Sequence, residues 1–482
     1  MLTSNRFILL LLALLSILSM GSVFAQTDHQ GDVPSLTLSQ VLTSIKTHHP
    51  NVKAELLKLQ QADAKRRIAD GAFDWQYQHD GAVRSTGYYD GWYSDHSFIK
   101  PLPFMNAKVS AGYRMSDGDF PVYEEQHRTM TGGEVNLGVS FSLLRDRDID
   151  EKRYKQMQAG LDRQIATQKQ QLTLNKILKR GAEAYLNWYQ AVRQLAVIEE
   201  LVALAEARRS AIENRVAEGD LATMDQDEFM TTLYARQEAY LKARQQLDAA
   251  AQYLSLFWRN DVGTPQVATE AHRPTQAISL LASDNSAAVN ALVTSISLEQ
   301  WLEEHPEIKK IDKELQKVKR DKQLAQNNLL PGVDLSLKVA NDFGAGSSSL
   351  NGTESRIGLS INVPLERTKA KAKRDLASFK KRELLQKKQL LVEQLTQEFN
   401  TLSLTIDNLA EQTEISEKRA VMAKKLVWQE QQRFDAGDSD LFRLNARETS
   451  AGQAQMAAVN TRISWLAKQI SQLAVTASLT RL

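Results

Sequence analysis

The chain carries the same landmarks twice. Leu36-Thr37-Leu38, a short helical stretch and His49-Pro50-Asn51-Val52 open one half. Ile296-Ser297-Leu298, a similar stretch and His305-Pro306-Glu307-Ile308 open the other. Further on, Arg215-Val216-Ala217-Glu218-Gly219-Asp220 is echoed by Arg433-Phe434-Asp435-Ala436-Gly437-Asp438. Between these markers each half holds alternating, strand-like runs and one very long polar helix. A duplicated helix–hairpin–helix unit restricts the fold more than any single residue does.

The N-terminus reads as a secretion signal spanning 1–25. Arg6 supplies the charge, Phe7 to Met20 the apolar core and Val23-Phe24-Ala25 the small-residue cleavage site. The 482 residues contain no Cys. An exported chain of this kind is stabilised by burial and hydrogen bonding rather than by disulfides, and no lipidated N-terminal Cys is possible. Beyond the signal there is no apolar run of about twenty residues, so no membrane-spanning helix is expected. The formal net charge of +2 argues against a nucleic-acid partner. Sparse Gly and Pro with abundant Gln, Ala, Leu, Lys and Glu suit long helices.

Periodicity divides the chain into a first repeat (26–258), a linker or equatorial segment (259–295) and a second repeat (296–482). The first repeat starts with a short helix from Leu36 to Thr47 and another from Asn51 to Asp70. Phe73, Trp75 and Tyr77 then alternate with polar residues, and an aromatic, Gly-rich stretch follows. Val135, Leu137, Val139, Phe141 and Leu143 alternate with Asn136, Gly138, Ser140 and Ser142, a period of two. Asp146 to Ala217 reads as one helix of about 70 residues, roughly 105 Å long. Gly219 ends it, Thr223 can cap the next helix, and that helix runs to Trp258. The second repeat follows the same plan. A helix spans Leu298 to Asn327, and strands carry Val333, Leu335, Leu337 and Val339, then Ile357, Leu359, Ile361 and Val363. A second long helix spans Arg367 to Asp435, and a last one starts at Leu441. In each half the two shorter helices together match the long one, so stacked end to end they would run beside it. Lone pairs this long and polar cannot bury their seams, so several copies must associate.

Strands with one apolar and one polar face have two readings. In a soluble sandwich the apolar face meets a core; in an outer-membrane barrel it meets lipid. The large apolar residues Val135, Leu137, Val139, Phe141, Leu335, Leu337, Leu359 and Ile361 favour lipid. The runs are close to the ten residues needed to cross at a tilt. One chain has too few strands to close a barrel alone. The rings of Tyr88, Tyr89, Trp92 and Tyr93 suit a membrane interface, though loop aromatics also pack locally.

With these motifs in order and repeated, the chain resembles the TolC family of outer-membrane efflux channels over nearly its whole length after the signal. The resemblance rests on both His-Pro openings, the strand ends Gly138 to Leu144 and Gly358 to Leu365, and both tip turns. It implies a mainly α fold with a transmembrane β-barrel portion. Three protomers would share a twelve-stranded barrel, four strands each, above a long periplasmic α-helical barrel. It also implies passive export, driven by an inner-membrane transporter coupled through a periplasmic adaptor (membrane fusion) protein, for a tripartite efflux pump or a type I secretion system. The tips Gly219, Asp220, Gly437 and Asp438 would dock the adaptor. The chain departs from the family where Phe73 to Trp75 replace a strand-opening Pro. The region Phe73 to Leu144 is about twice the length of the second hairpin, and Lys108 to Tyr113 in it reads as an additional extracellular strand.

Asp225 and Glu228 follow the first tip at i, i+3, which shares a helix face. The resemblance places such acids at the periplasmic aperture, and Arg443, at the equivalent place in the second repeat, could pair with them. Equally, they favour a helix N-terminus through its dipole. His48, His49 and His305 fit a structural role at helix starts better than a metal role, because no Cys or His/Asp/Glu cluster joins them. His79, His96 and His127 are expected to be solvated. No phosphate loop, metalloprotease motif or nucleophile elbow is present. No catalytic residue, metal or cofactor is therefore expected. A soluble periplasmic coiled-coil scaffold or adaptor is the rival reading, and the duplicated strands argue against it.

Overall fold

The computed structural model describes residues 35–274 and 298–481. The signal, residues 26–34, the second half of the linker (275–295), residues 296–297 and residue 482 lie outside the described residues. No helix among the described residues is long and apolar enough to cross a membrane.

Helix α1 (Leu38–His48) opens with a capping box, in which Thr37 accepts from the Gln40 N–H and the Gln40 side chain accepts from the Thr37 N–H. Helix α2 (Pro50–Asp70) follows at once. Pro50 sits at its first position, where a missing N–H costs nothing. His49 is the N-cap, and its Nδ1 accepts from the Asn51 N–H at 3.2 Å. The second repeat reproduces this. The helix expected over Leu298 to Asn327 is two, α5 (Leu298–Glu304) and α6 (Pro306–Asn327). Pro306 disfavours the helical conformation at His305, which becomes an extended N-cap whose Nδ1 accepts from the Glu307 N–H at 3.2 Å.

The long helices are α3 (Glu151–Ala217) and α7 (Thr368–Asp435), of 67 and 68 residues. Their partners are α4 (Thr223–Leu254) and α8 (Leu441–Val475). At 1.5 Å per residue each long helix extends about 100 Å. Helices α2 and α4 both pack on α3, and α6 and α8 both pack on α7, so the end-to-end stacking read from the lengths is present in both halves. Helices α6 and α8 also touch α3, which joins the repeats. The main core runs along α3, where Leu178, Leu186, Trp188 and Leu195 are wholly buried against α1, α4 and α8. Each such side chain stabilises by about 1.5–3 kcal/mol.

Six strands form one antiparallel sheet in the order β1-β2-β3-β4-β5-β6. They are β1 (Gln76–Arg84), β2 (Gly91–Pro101), β3 (Lys108–Gly118), β4 (Glu134–Ser142), β5 (Gly332–Asp342) and β6 (Thr353–Asn362). This corrects the four strands per chain implied by the family resemblance. The Lys108 run is a full strand, and β2 is a further strand that alternation does not reveal. Its residues Trp92, Ser94, His96 and Phe98 alternate with Tyr93, Asp95, Ser97 and Ile99, so neither face is plainly apolar. The first strand also starts later than expected, because residues 71–73 form a 3₁₀ turn.

The paired histidines make stability depend on pH. Burial holds the His49 imidazole below its ordinary pKa of 6.5, and Arg259 lowers it further. Burial likewise lowers His305, partly offset by Glu307 and a hydrogen bond to the Val475 backbone. The unfolded chain therefore takes these protons first as pH falls through 6.5. Stability from the neutral, accepting rings is present above that value and lost below it. Melting temperatures measured by circular dichroism should fall between about pH 7 and about pH 5. His49→Asn with His305→Asn keeps a capping side chain that does not titrate, and should flatten that fall. An unchanged profile would remove these two rings as its source.

Candidate functional site

The two tips have the same backbone. Helix α3 ends with Gly219 at φ +84° and α7 with Gly437 at φ +81°. The Gly219 N–H bonds to the Val216 carbonyl and the Asp220 N–H to the Arg215 carbonyl at 2.9 Å. The Gly437 N–H bonds to Phe434 and the Asp438 N–H to Arg433 at 2.8 Å. These are Schellman endings, which need a left-handed residue and hence favour Gly. A Cβ at either Gly would meet nothing within 4 Å, so backbone conformation rather than space selects the residue. All four tip residues Gly219, Asp220, Gly437 and Asp438 are exposed. The tips lie side by side, with the Arg215 guanidinium 5.7 Å from the centre of the Phe434 ring. Beneath them Ile212, Phe229, Leu233 and Leu441 form a small apolar cluster.

Asp225 is half-buried and serves the helix end, accepting from the Ala222 N–H at 3.2 Å. Ala222 has no side-chain acceptor, so only this return arm of a capping box exists, and Thr223 is the first helical residue rather than the cap. Glu228 is exposed one turn further on. Within one chain Arg443 does not reach either acid. It pairs with Asp440 at 3.4 Å, and Asp440 also caps α8 through the Arg443 N–H at 2.7 Å.

Above the tips lies a buried ionic cluster. The Glu448 carboxylate, 1 % exposed, accepts from Arg208 at 2.7 Å and Arg236 at 2.9 Å. Arg208 also donates to Gln431, and Arg236 to the Leu201 carbonyl. The cluster ties α3, α4, α7 and α8 together. Breaking such a buried pair typically costs about 3–5 kcal/mol. The sequence reading missed it, although one signal was available: Glu448 falls on the apolar phase of α8, between Leu444 and Ala451.

At the other end, the register places all eight strand residues expected to face lipid on one face. Leu137 is opposite Val339, Val139 opposite Leu337, and Phe141 opposite Leu335. Leu335 is opposite Leu359, and Val333 opposite Ile361. Val135, Leu137, Leu337, Leu359 and Ile361 are exposed; Val139, Phe141 and Leu335 are half-buried. The opposite face is polar and charged. There Arg114 donates to Asp95 at 2.7 Å, and Lys338 to Glu134 at 3.1 Å.

The aromatics divide between these faces. Trp92 lies on the apolar face and Tyr88 is exposed, whereas Tyr89 is buried and bonds to Glu124. Tyr93 lies on the polar face and stacks on His127 at 4.1 Å. His79 and His96 stack on each other at 4.6 Å; His79 is exposed as expected, whereas His96 and His127 are half-buried. The β3–β4 connection, residues 119–133, folds over the polar face. Arg114 donates to the Gln126 carbonyl at 2.7 Å, Thr129 and Ser116 bond to each other, and Arg84 meets Glu124 at 3.3 Å. No group of three or more His, Asp or Glu among the described residues is placed to hold a metal ion.

The sequence matches no protein-family model and no curated protein. The structure does match solved structures. The Campylobacter jejuni CmeC outer membrane channel aligns with a TM-score of 0.62 and 12% identity, over 92% of this chain and 85% of that one. The open-state MtrE outer membrane channel of Neisseria gonorrhoeae gives 0.62 and 14%, over 92% and 88%. The outer membrane protein VceC of Vibrio cholerae gives 0.61 and 13%, over 91% and 96%. The chain has the fold of the TolC-family outer-membrane channels. The resemblance read from the sequence is met at the level of the fold.

Proposed function

We propose that the chain is a trimeric outer-membrane channel for passive export across the periplasm and outer membrane. It would work with an inner-membrane transporter through a periplasmic adaptor. The observation that carries this reading is the continuous apolar face of β4, β5 and β6, set against a charged face, at one end of helices about 100 Å long. A second feature supports self-association. Phe379, Leu390, Leu404, Ile415, Met422 and Leu426 are exposed on α7 at spacings of 11, 14, 11, 7 and 4 residues. Each spacing is close to a whole number of turns, so they form one unpartnered stripe. Among the described residues α7 packs mainly on α6 and α8, with smaller contacts to α3 and to Trp301 of α5, and the stripe stays exposed for a neighbour. A soluble scaffold or adaptor would have no use for the sheet's apolar face.

Location is tested on the strands. Leu359→Arg puts a charge toward lipid at a cost of about 2–4 kcal/mol. It should lower the amount of heat-modifiable trimer in outer-membrane fractions, whereas Ser360→Arg on the polar face should not. Equal damage from both would show that the faces are assigned wrongly.

The tips are the surfaces remote from the sheet and would meet the adaptor. Gly219→Val with Gly437→Val strains both left-handed positions, each by about 1–3 kcal/mol. Export should stop while inserted trimer persists. Normal export in the double variant would take the tips out of the mechanism.

In a trimer, Asp225 and Glu228 would surround the narrow mouth, and carboxylates held close attract cations. Arg443 of a neighbouring helix pair would temper that charge and hold the mouth narrow. In planar bilayers, Asp225→Asn with Glu228→Gln should weaken cation selectivity, and Arg443→Ala should raise conductance. Identical reversal potentials and conductances in all variants would leave these residues as helix-end charges only.

A further inference from the structure

The sheet ends in two open edges. Among the described residues, strand β1 pairs only with β2, and β6 only with β5. All nine residues of β1 are exposed, as are all of β6 except the half-buried Gly358. Natural edge strands are normally guarded by Pro, Lys, bulges or short length. Neither β1 nor β6 contains Pro or Lys, their charges are limited to Asp80 and Arg84 on β1 and Glu354 and Arg356 on β6, and both pair with their inner neighbours in unbroken register. Two long edges without Pro or bulge on one sheet can pair with each other. Strand β1 leaves α2 and runs away from the helices, while β6 runs back toward α7. Copies set side by side with helices aligned therefore present β6 of one antiparallel to β1 of the next. The contact is head-to-tail, so it closes into a ring under rotational symmetry.

We infer that β6 of each copy pairs with β1 of the next, so that a trimer closes an eighteen-stranded barrel rather than the twelve-stranded one implied by the family resemblance. This rests on the trimeric channel reading above. The first hairpin region cannot be set aside as an external appendage. Strand β2 is paired with β3 from Gly91↔Gly118 to Pro101↔Lys108, and β3 with β4 from Lys108↔Ser140 to Arg114↔Glu134. By register Tyr77, His79, Gly81 and Val83 of β1 lie on the face of Ile357, Leu359 and Ile361 of β6, so the apolar residues of β6 would adjoin Tyr77 and Val83, with the His79–His96 stack between them. Barrel diameter grows roughly linearly with strand number, so this barrel would be about half as wide again as one of twelve strands, and wide enough for an aqueous lumen. The β3–β4 connection then has a role. Anchored on the polar face by Arg114, Ser116 and Tyr93, three copies of it would narrow the mouth farthest from the helices.

The chain has no cysteine, so introduced pairs report cleanly. Gln78→Cys on β1 is combined in turn with Glu354→Cys, Arg356→Cys, Gly358→Cys and Ser360→Cys on β6, all on the polar face, to cover the possible staggers. Ser110→Cys on β3, with the same four, reports the alternative in which β3 is the closing edge. Oxidation of the full chain in outer membranes should give covalent trimers from at least one β1–β6 pair and none from the β3–β6 pairs. Trimers from the β3–β6 pairs, or from neither set while lysine crosslinking of the cysteine-free chain still yields a trimer, would overturn the eighteen-stranded barrel. Lysine crosslinking that finds no trimer would instead overturn the channel reading on which it rests. For the mouth, replacing residues 120–127 by a Gly/Ser segment of equal length should raise single-channel conductance severalfold. Unchanged conductance would remove the loop from the pore.

Discussion

The whole molecule depends on α3 being covered along its length. An isolated helix of this length and polarity has no stable seam of its own, and packing of one face supplies most helical stability. Helices α1, α2, α4, α6 and α8 all lean on α3, whereas α7 is covered mainly by α6 and α8. The protomer is therefore satisfied at its centre and unsatisfied at its margin. The exposed stripe on α7 and the open strand edges are the same deficit, expressed once in side-chain burial and once in backbone hydrogen bonding. In the proposed trimer both would be met by a neighbouring copy, which would make association part of folding rather than an addition to it.

The junction between helices and sheet transmits that arrangement. Asp146 and Asn327 exchange two hydrogen bonds, backbone N–H to Asn327 at 2.8 Å and Asn327 side chain to Asp146 at 2.7 Å. This clamps the start of one repeat's long helix to the end of the other's short one. Asp146 and Arg367 both have positive φ, at 69° and 58°, and both lie between a strand and a long helix. The duplication thus extends to the strained residues that turn the chain from strand direction to helix direction, at a typical cost of about 1 kcal/mol each. At the opposite end the buried Glu448 cluster fixes the four helices just before the tips turn.

Local rules explain why so much was legible. Period-two alternation in β4, β5 and β6 fixes which side chains share a face, because a one-residue slip would reverse every one of them. Gly219 and Gly437 announce helix ends because few other residues accept the left-handed conformation. His-Pro marks both helix starts, since Pro forces the preceding residue out of the helix while the imidazole accepts a free N–H. The same rule applies at His305, where periodicity alone reads one helix and Pro306 divides it into two. Strand β2 was missed because its two faces differ little in polarity. The course of residues 119–133 over the polar face has no period at all, and only the Arg114, Ser116 and Tyr93 contacts reveal it.

Sequence by itself determined the duplication, the long helices and their partners, the tip turns and the lipid-suited face of three strands, because each is written in short-range periodicity or in a residue with a restricted backbone. Only the tertiary structure decided the number of strands and the Arg208–Glu448–Arg236 cluster. These depend on which distant side chains meet. Glu448 is 212 residues from Arg236, and no local pattern encodes an encounter at that separation. The open edges of β1 and β6 belong to the same class. A strand's sequence specifies its faces, while the fold specifies which of its two edges is left without a partner.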